Sequence, residues 1–154
     1  MDLVPDRVYN ADESGLFWRI LPNKTLAAEN SAPGRKMSKD RITFMPCSYA
    51  SVSHKIKLLV IGKANIPRAF KNCSNLPVYY KGQRKEWVTR KLFYEWFHKQ
   101  FIPDVKNKMN ELKLPQKVLL LLDNVLGHPR EEELISEDRN IQVMFLSHNC
   151  TPLK

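Results

Sequence analysis

The chain has 154 residues, 43% of them hydrophobic, 27% charged and 10% aromatic, which is the make-up of one folded domain rather than of a disordered tail. Its longest apolar runs, residues 118–122 and 58–61, are far short of the roughly 20 residues that span a bilayer, and the opening MDLVPDRVYN lacks the layout of a signal peptide. Twenty-five Lys and Arg against sixteen Asp and Glu leave a formal charge of +9. That excess favours a polyanionic partner, and with no basic amphipathic helix to suggest a membrane surface the expected partner is nucleic acid.

In chain order, RVYNADESGLFWRI (residues 7–20) reads as a strand by two-residue alternation, turning at Ser14-Gly15 with Asp12 near its end. The polar stretch 29–40, with Pro33-Gly34 inside it, reads as a basic loop. RITFMPCSYA (41–50) and HKIKLLVIGKA (54–64) follow as strands expected to pair as a hairpin, and PVYYKG (77–82) adds a short strand after an irregular segment.

From Thr89 the period changes. Leu92, Phe93, Trp96, Phe97 and Phe101 recur at helical spacing behind a Thr89 N-cap, which places Trp96 and Phe97 in the core, and Pro103 is expected to kink or divide the helix. VLLLL (118–122) reads as a strand covered on both faces, REEELISED (130–138) as a short helix, and IQVMFLS (141–147) as a last strand. The order implies one α/β domain over residues 1–154, with a mixed sheet and a helix packed on it. Cys47, Cys73 and Cys150 are odd in number and contain no CxxC pair, as suits a reducing, intracellular compartment.

Two acids stand where strands end, Asp12 and Asp123. If their strands are neighbours the carboxylates converge, and a pair so placed repels unless a hard divalent cation such as Mg²⁺ or Mn²⁺ neutralises it. The plainer reading of ADESG and LDNVLG is the Asx and Gly chemistry that terminates strands. A zinc site from His128, His148 and Cys150 lacks a fourth ligand and a standard spacing.

The blocks VYNADESGLFWRILP, CSYASVSHKIKLLVIGKANIPRAFKN, LFYEWFHKQFIP, KVLLLLDNVLGHP and VMFLSHNCTPL, in that order over nearly the whole chain, closely resemble the DDE superfamily endonuclease domain of pogo, Tigger and Jerky-type transposases. The resemblance implies an RNase H-like fold, in which three antiparallel strands precede alternating helices and parallel strands. It also makes Asp12 and Asp123 two of the catalytic, metal-binding acids. The implied chemistry is phosphodiester hydrolysis and strand transfer on DNA, with two cations roughly 3.5–4 Å apart clamping the attacking and leaving oxygens.

The family's third acid comes shortly beyond the block LSHNCTPL, whereas the given sequence closes at Lys154 and its last acid, Asp138, precedes the final strand. The expectation is therefore a domain lacking the part that carries the third acid, weak binding of Mg²⁺ or Mn²⁺, and little or no cleavage. Nuclear residence is implied by the family. Arg35, Lys36, Lys39, Lys63, Arg68, Lys81, Arg84 and Lys85 are the expected DNA-backbone contacts, each with a solvated charged face as its plainer explanation. Asn124 and His128, beside the second acid, join them, although a turn histidine satisfied by backbone fits His128 as well. Tyr79, Tyr80 and Trp87 interleave with these basic residues as stacking platforms do, or else belong to the core. Two other readings stay open: an active endonuclease whose third acid comes from a longer chain or a partner, and a protein-interaction module with no nucleic-acid role.

Overall fold

The computed structural model describes residues 4–18, 40–124 and 128–146. The first predicted strand is present but divided, as β1 (Val8–Ala11) and β2 (Ser14–Phe17). Ser14-Gly15 therefore opens a strand rather than forming the expected turn. The second stretch divides in step, as β3 (Arg41–Met45) and β4 (Cys47–Tyr49), with Pro46 between them. Tyr9 pairs with Tyr49 and Ala11 with Cys47, while Ser14 pairs with Phe44 and Gly15 with Thr43. These pairs follow one antiparallel register, and extending it sets Asp12 across from Pro46. A proline has no N–H to give to a ladder, so the hairpin loses its pairing there and continues as two half-sheets.

Joined through that hairpin, β5 (Leu59–Gly62), β6 (Tyr79–Gly82), β7 (Val118–Leu122) and β8 (Ile141–Phe145) complete a mixed sheet. One half runs β4-β1-β7-β8 and the other β2-β3-β5-β6. The hairpin expected from the second and third stretches holds between β3 and β5, which are antiparallel, while β4 turns to β1 instead. β1, β7 and β8 are mutually parallel, as are β5 and β6. Antiparallel strands leading through a helix into parallel ones is the order the sequence implied. β7 is less covered than expected: Val118, Leu120 and Leu122 are fully buried, while Leu119 and Leu121 are only partly so.

Thr89 caps α1 (Arg90–Trp96), its Oγ1 accepting from the Leu92 N–H at 3.3 Å. Pro103 neither kinks nor ends the helix abruptly. A wide turn of π geometry, Phe97–Phe101, precedes α2 (Ile102–Glu111), and the Ile102 N–H reaches back to the Phe97 carbonyl. A widened turn spaces the proline ring from the preceding carbonyls, which a regular helix would bring into collision. It also fits the apolar pattern. Phe93, Phe97, Phe101, Val105 and Met109 are fully buried at every fourth residue, a spacing that drifts about 40° per step in a regular helix, and the extra residue in the turn takes up part of the drift. The buried face meets the sheet at Tyr9, whose ring stands edge-on to Phe101 at 5.3 Å.

The helix expected over residues 130–138 is reduced to a single 3₁₀ turn, Glu131–Glu133. Ile135 instead bridges to Gln142, and the Ser136 hydroxyl accepts from the Ile141 N–H at 3.0 Å, so the chain after Leu134 is committed to the sheet edge.

The Tyr9 hydroxyl meets His54 Nδ1 at 2.6 Å. Burial pushes the tyrosine's pKa well up, so the hydroxyl is the donor and the imidazole accepts as the neutral ring. Burial, then Lys108, lowers the His54 pKa below 6.5, against smaller opposing effects of Asp104 and Glu111. A histidine that binds its proton less readily folded than unfolded contributes stability that is complete above the unfolded value and is lost as pH falls below it. Thermal melts from about pH 7.5 down to about pH 5 should show the melting temperature falling below about pH 6.5, and His54→Phe should flatten that part of the curve. An unchanged slope in the variant would assign the acid sensitivity to other groups.

Candidate active site

The parallel register of β1 with β7 runs Tyr9 to Leu120 and Ala11 to Leu122. The next residue on each strand is an acid, so Asp12 and Asp123 leave the sheet side by side, on strands roughly 4.8 Å apart. Both are exposed. This accounts for a charge at the end of VLLLL: alternation buries Leu122, and the following residue clears the core. The two acids line one cavity of about 380 Å³ together with Glu13, Arg41, Trp87 and His128. Asp123 also performs the plainer role, since its Oδ1 accepts from the Asn124 N–H at 2.8 Å, an Asx-type bond that ends the strand.

His128 lies behind the acids with its side chain 6% exposed. The ring stands edge-on to Phe93 at 4.6 Å and points Nε2 at Glu13 Oε1, 3.4 Å away. Its buried Nδ1 has no hydrogen-bond partner, which departs from the backbone-satisfied turn histidine considered from sequence. Asn124 and His128 share a second cavity with Arg90 and Arg130.

Asp138 is held elsewhere. It takes a hydrogen bond from Lys106 Nζ at 2.8 Å, one from the Ser136 hydroxyl and one from the Asn140 N–H, which together hold its carboxyl well below the usual carboxylate range. Among the described residues no group of three or more His, Cys, Asp or Glu is placed to hold a metal ion. The donor set at the acid pair is thus two carboxylates whose oxygens suit Mg²⁺ or Mn²⁺ but make a sparse site for either. His148 and Cys150, weighed for zinc, lie outside the described residues.

Of the expected DNA contacts, Arg35, Lys36 and Lys39 lie outside the described residues, and Asn124 and His128 adjoin the acids. None of the others lines the acid cavity. Lys63 lines a neighbouring, mostly apolar cavity of about 490 Å³ with Trp18, Phe70 and Tyr80. Arg68 is exposed on the turn Arg68–Phe70, and Arg84 and Lys85 on the turn after β6. Lys81 is engaged by Glu95 at 2.7 Å, and that bond raises the lysine's pKa and lowers the carboxylate's. Tyr79 and Tyr80 are half-buried, while Trp87 is 59% exposed. The residues that reach the acids and were not singled out from sequence are Glu13, Arg41 and Trp87. Arg41 had a signal as one of a run of basic residues, but nothing in the run marked which member would meet the sheet.

A mixed sheet in which antiparallel strands lead into parallel ones, with an acid at the ends of two adjacent central strands, defines an RNase H-like fold of the nuclease type. The sequence pattern of the DDE superfamily endonuclease family matches residues 39–154, and the chain belongs to that family. It is 47% identical to the human Jerky protein homolog and 43% to the mouse Jerky protein, in each case over 98% of this chain and 27% of the relative. Identity to the human Tigger transposable element-derived protein 7 is 39%, over 96% of this chain and 28% of the relative. The chain thus spans about a quarter of the length of these curated relatives. Among solved structures it is similar to the Mos1 transposase in a paired-end complex with a left transposon end, at 14% identity and a TM-score of 0.47, over 90% of this chain and 35% of that one.

Proposed function

We propose that this chain is a transposase-derived, DDE-type domain that binds DNA through the phosphate backbone without sequence preference and, as the 154-residue polypeptide, does not cleave it. The observation that carries the reading is the side-by-side exit of Asp12 and Asp123 from β1 and β7 in a chain of the DDE endonuclease family. A net charge of +9 supplies the attraction for phosphate.

Asp12 and Asp123 would hold a Mg²⁺ or Mn²⁺ ion, which when bound supplies charge stabilisation to a phosphodiester. Two carboxylates fix one ion loosely and leave a second without ligands, so the geometry favours binding over turnover. Residence in the nucleus belongs to the same reading.

One observation favours a second reading, an active endonuclease: the curated relatives are several times longer than this chain, and a third acid could come from additional sequence or from another subunit. A nicking assay on supercoiled DNA with Mg²⁺ or Mn²⁺ separates the two. The first predicts no cleavage; cleavage that disappears in Asp123→Asn establishes the second. A gel-shift titration should show dissociation constants of roughly 10⁻⁴–10⁻⁶ M at physiological salt, tightening as salt is removed. No shift even at low salt would leave the chain as a protein-interaction module.

A further inference from the structure

We propose that Arg41 is a phosphate-binding residue of the acid cavity, held there by Trp87 and by the turn at Glu86; this deepens the DNA-binding reading above and rests on it. Among the described residues lining the cavity, Arg41 is the one Lys or Arg, set among three carboxylates, Asp12, Glu13 and Asp123. Charge density elsewhere on the chain can attract DNA, but this guanidinium is the cation built into the wall beside the acids.

Its hold is unusually complete for a side chain at a strand end. The guanidinium carbon lies 3.5 Å from the centre of the Trp87 ring, a stacked cation–π contact. Nη2 donates to Thr43 Oγ1 at 3.2 Å and to the Glu86 carbonyl at 3.4 Å. Glu86 takes a left-handed backbone conformation, φ 57°, which non-glycine residues adopt only when their surroundings require it. The Thr43 hydroxyl donates to the same carbonyl, so the strained residue serves both neighbours. Tryptophan, threonine and a turn carbonyl thus fix one face and one nitrogen of the fork.

The other terminal nitrogen, Nη1, lies over Gly15, 3.6 Å from where a Cβ would stand. Gly15 is itself a wall of the acid cavity, so the missing side chain keeps that end of the fork open to the cavity. Two acids repel a phosphodiester. A cation on those acids and a guanidinium beside them reverse the sign, and a planar fork meets phosphate oxygens in a way that an ammonium does not. The ligand class is therefore a nucleic-acid phosphodiester, entering beside the acid pair.

The test uses the full chain, a fluorescein-labelled DNA duplex and fluorescence anisotropy at several salt concentrations with Ca²⁺ present. Arg41→Ala should weaken binding about tenfold and reduce the slope of log affinity against log salt by about one. Arg41→Lys should regain the slope while recovering only part of the affinity. Gly15→Val leaves Arg41 in place but fills the space beneath Nη1, and should weaken binding at an unchanged salt slope. Should Arg41→Ala fail to fold, as judged by thermal melting, Gly15→Val and Arg41→Lys decide. Wild-type affinity and slope in the folded variants would overturn the assignment while leaving DNA binding intact. Failure of the wild-type chain to bind the duplex at low salt would remove the functional reading, and this inference with it.

Discussion

Trp96→Ala is expected to destabilise the chain by about 3–5 kcal/mol, the range for removing a buried tryptophan. The side chain is completely buried, packed against Phe93 at 5.3 Å and Phe101 at 5.4 Å. Phe101 in turn meets Tyr9 of β1, and Phe93 lies beneath His128. The lost ring therefore sits where the helix grips both the sheet and the site. Against a total stability of about 5–15 kcal/mol, a loss of that size lowers the melting temperature by roughly 10 °C or leaves the chain unfolded. Trp96→Phe should cost markedly less, because it retains a ring and removes an indole N–H that is buried without a partner. Differential scanning calorimetry distinguishes them; an alanine variant that melts with the wild type would mean that α1 is not docked on the sheet.

The second large effect concerns Asp123 and can be read in two signs. Without metal, two like charges on adjacent strand ends oppose folding, so Asp123→Asn in EDTA should melt at or above the wild-type temperature. The asparagine keeps an oxygen that can accept from the Asn124 N–H, so the turn is preserved while the charge is removed. With Mn²⁺ the order reverses. A cation at ten times its dissociation constant stabilises the folded chain by about 1.4 kcal/mol, a shift of a few degrees, and Asp123→Asn should abolish that shift. Asp12→Asn should behave alike, since the register makes the two acids equivalent neighbours. Asp123→Ala completes the set, because it loses the turn bond as well. If Mn²⁺ raises the melting temperature of Asp123→Asn as much as that of the wild type, the ion is bound elsewhere and Asp123 serves the turn alone.

The site was half legible in the sequence. An acid closing a short apolar run advertises a strand end, and five ordered blocks of similar wording supplied the second acid and the fold. The division of the first strand was not legible, because Ser14-Gly15 has the composition of a turn, and what separates β1 from β2 is Pro46 on the partner strand. Likewise REEEL has helical residues in helical order, but pairing of Ile135 with Gln142 commits the chain to the sheet before a second turn can form. Arg41 and Trp87 are remote in sequence and share no periodic pattern. Their contact follows from the path of β3 and the turn at Glu86, which only the folded chain contains. Local chemistry could be read residue by residue, whereas a partnership between distant segments could not.

The wide turn at Phe97–Phe101 makes the length of this segment part of its design. Deleting one residue between His98 and Gln100 would restore an ideal spiral and improve its local hydrogen bonding, yet it would rotate everything after it by about 100°. Val105 and Met109 would swing from the interior toward water, and Pro103 would meet a regular turn. The helix thus tolerates exchange of many of its side chains more readily than the loss of any single one, and its apparent irregularity is a counting device that keeps two halves of one apolar stripe in phase.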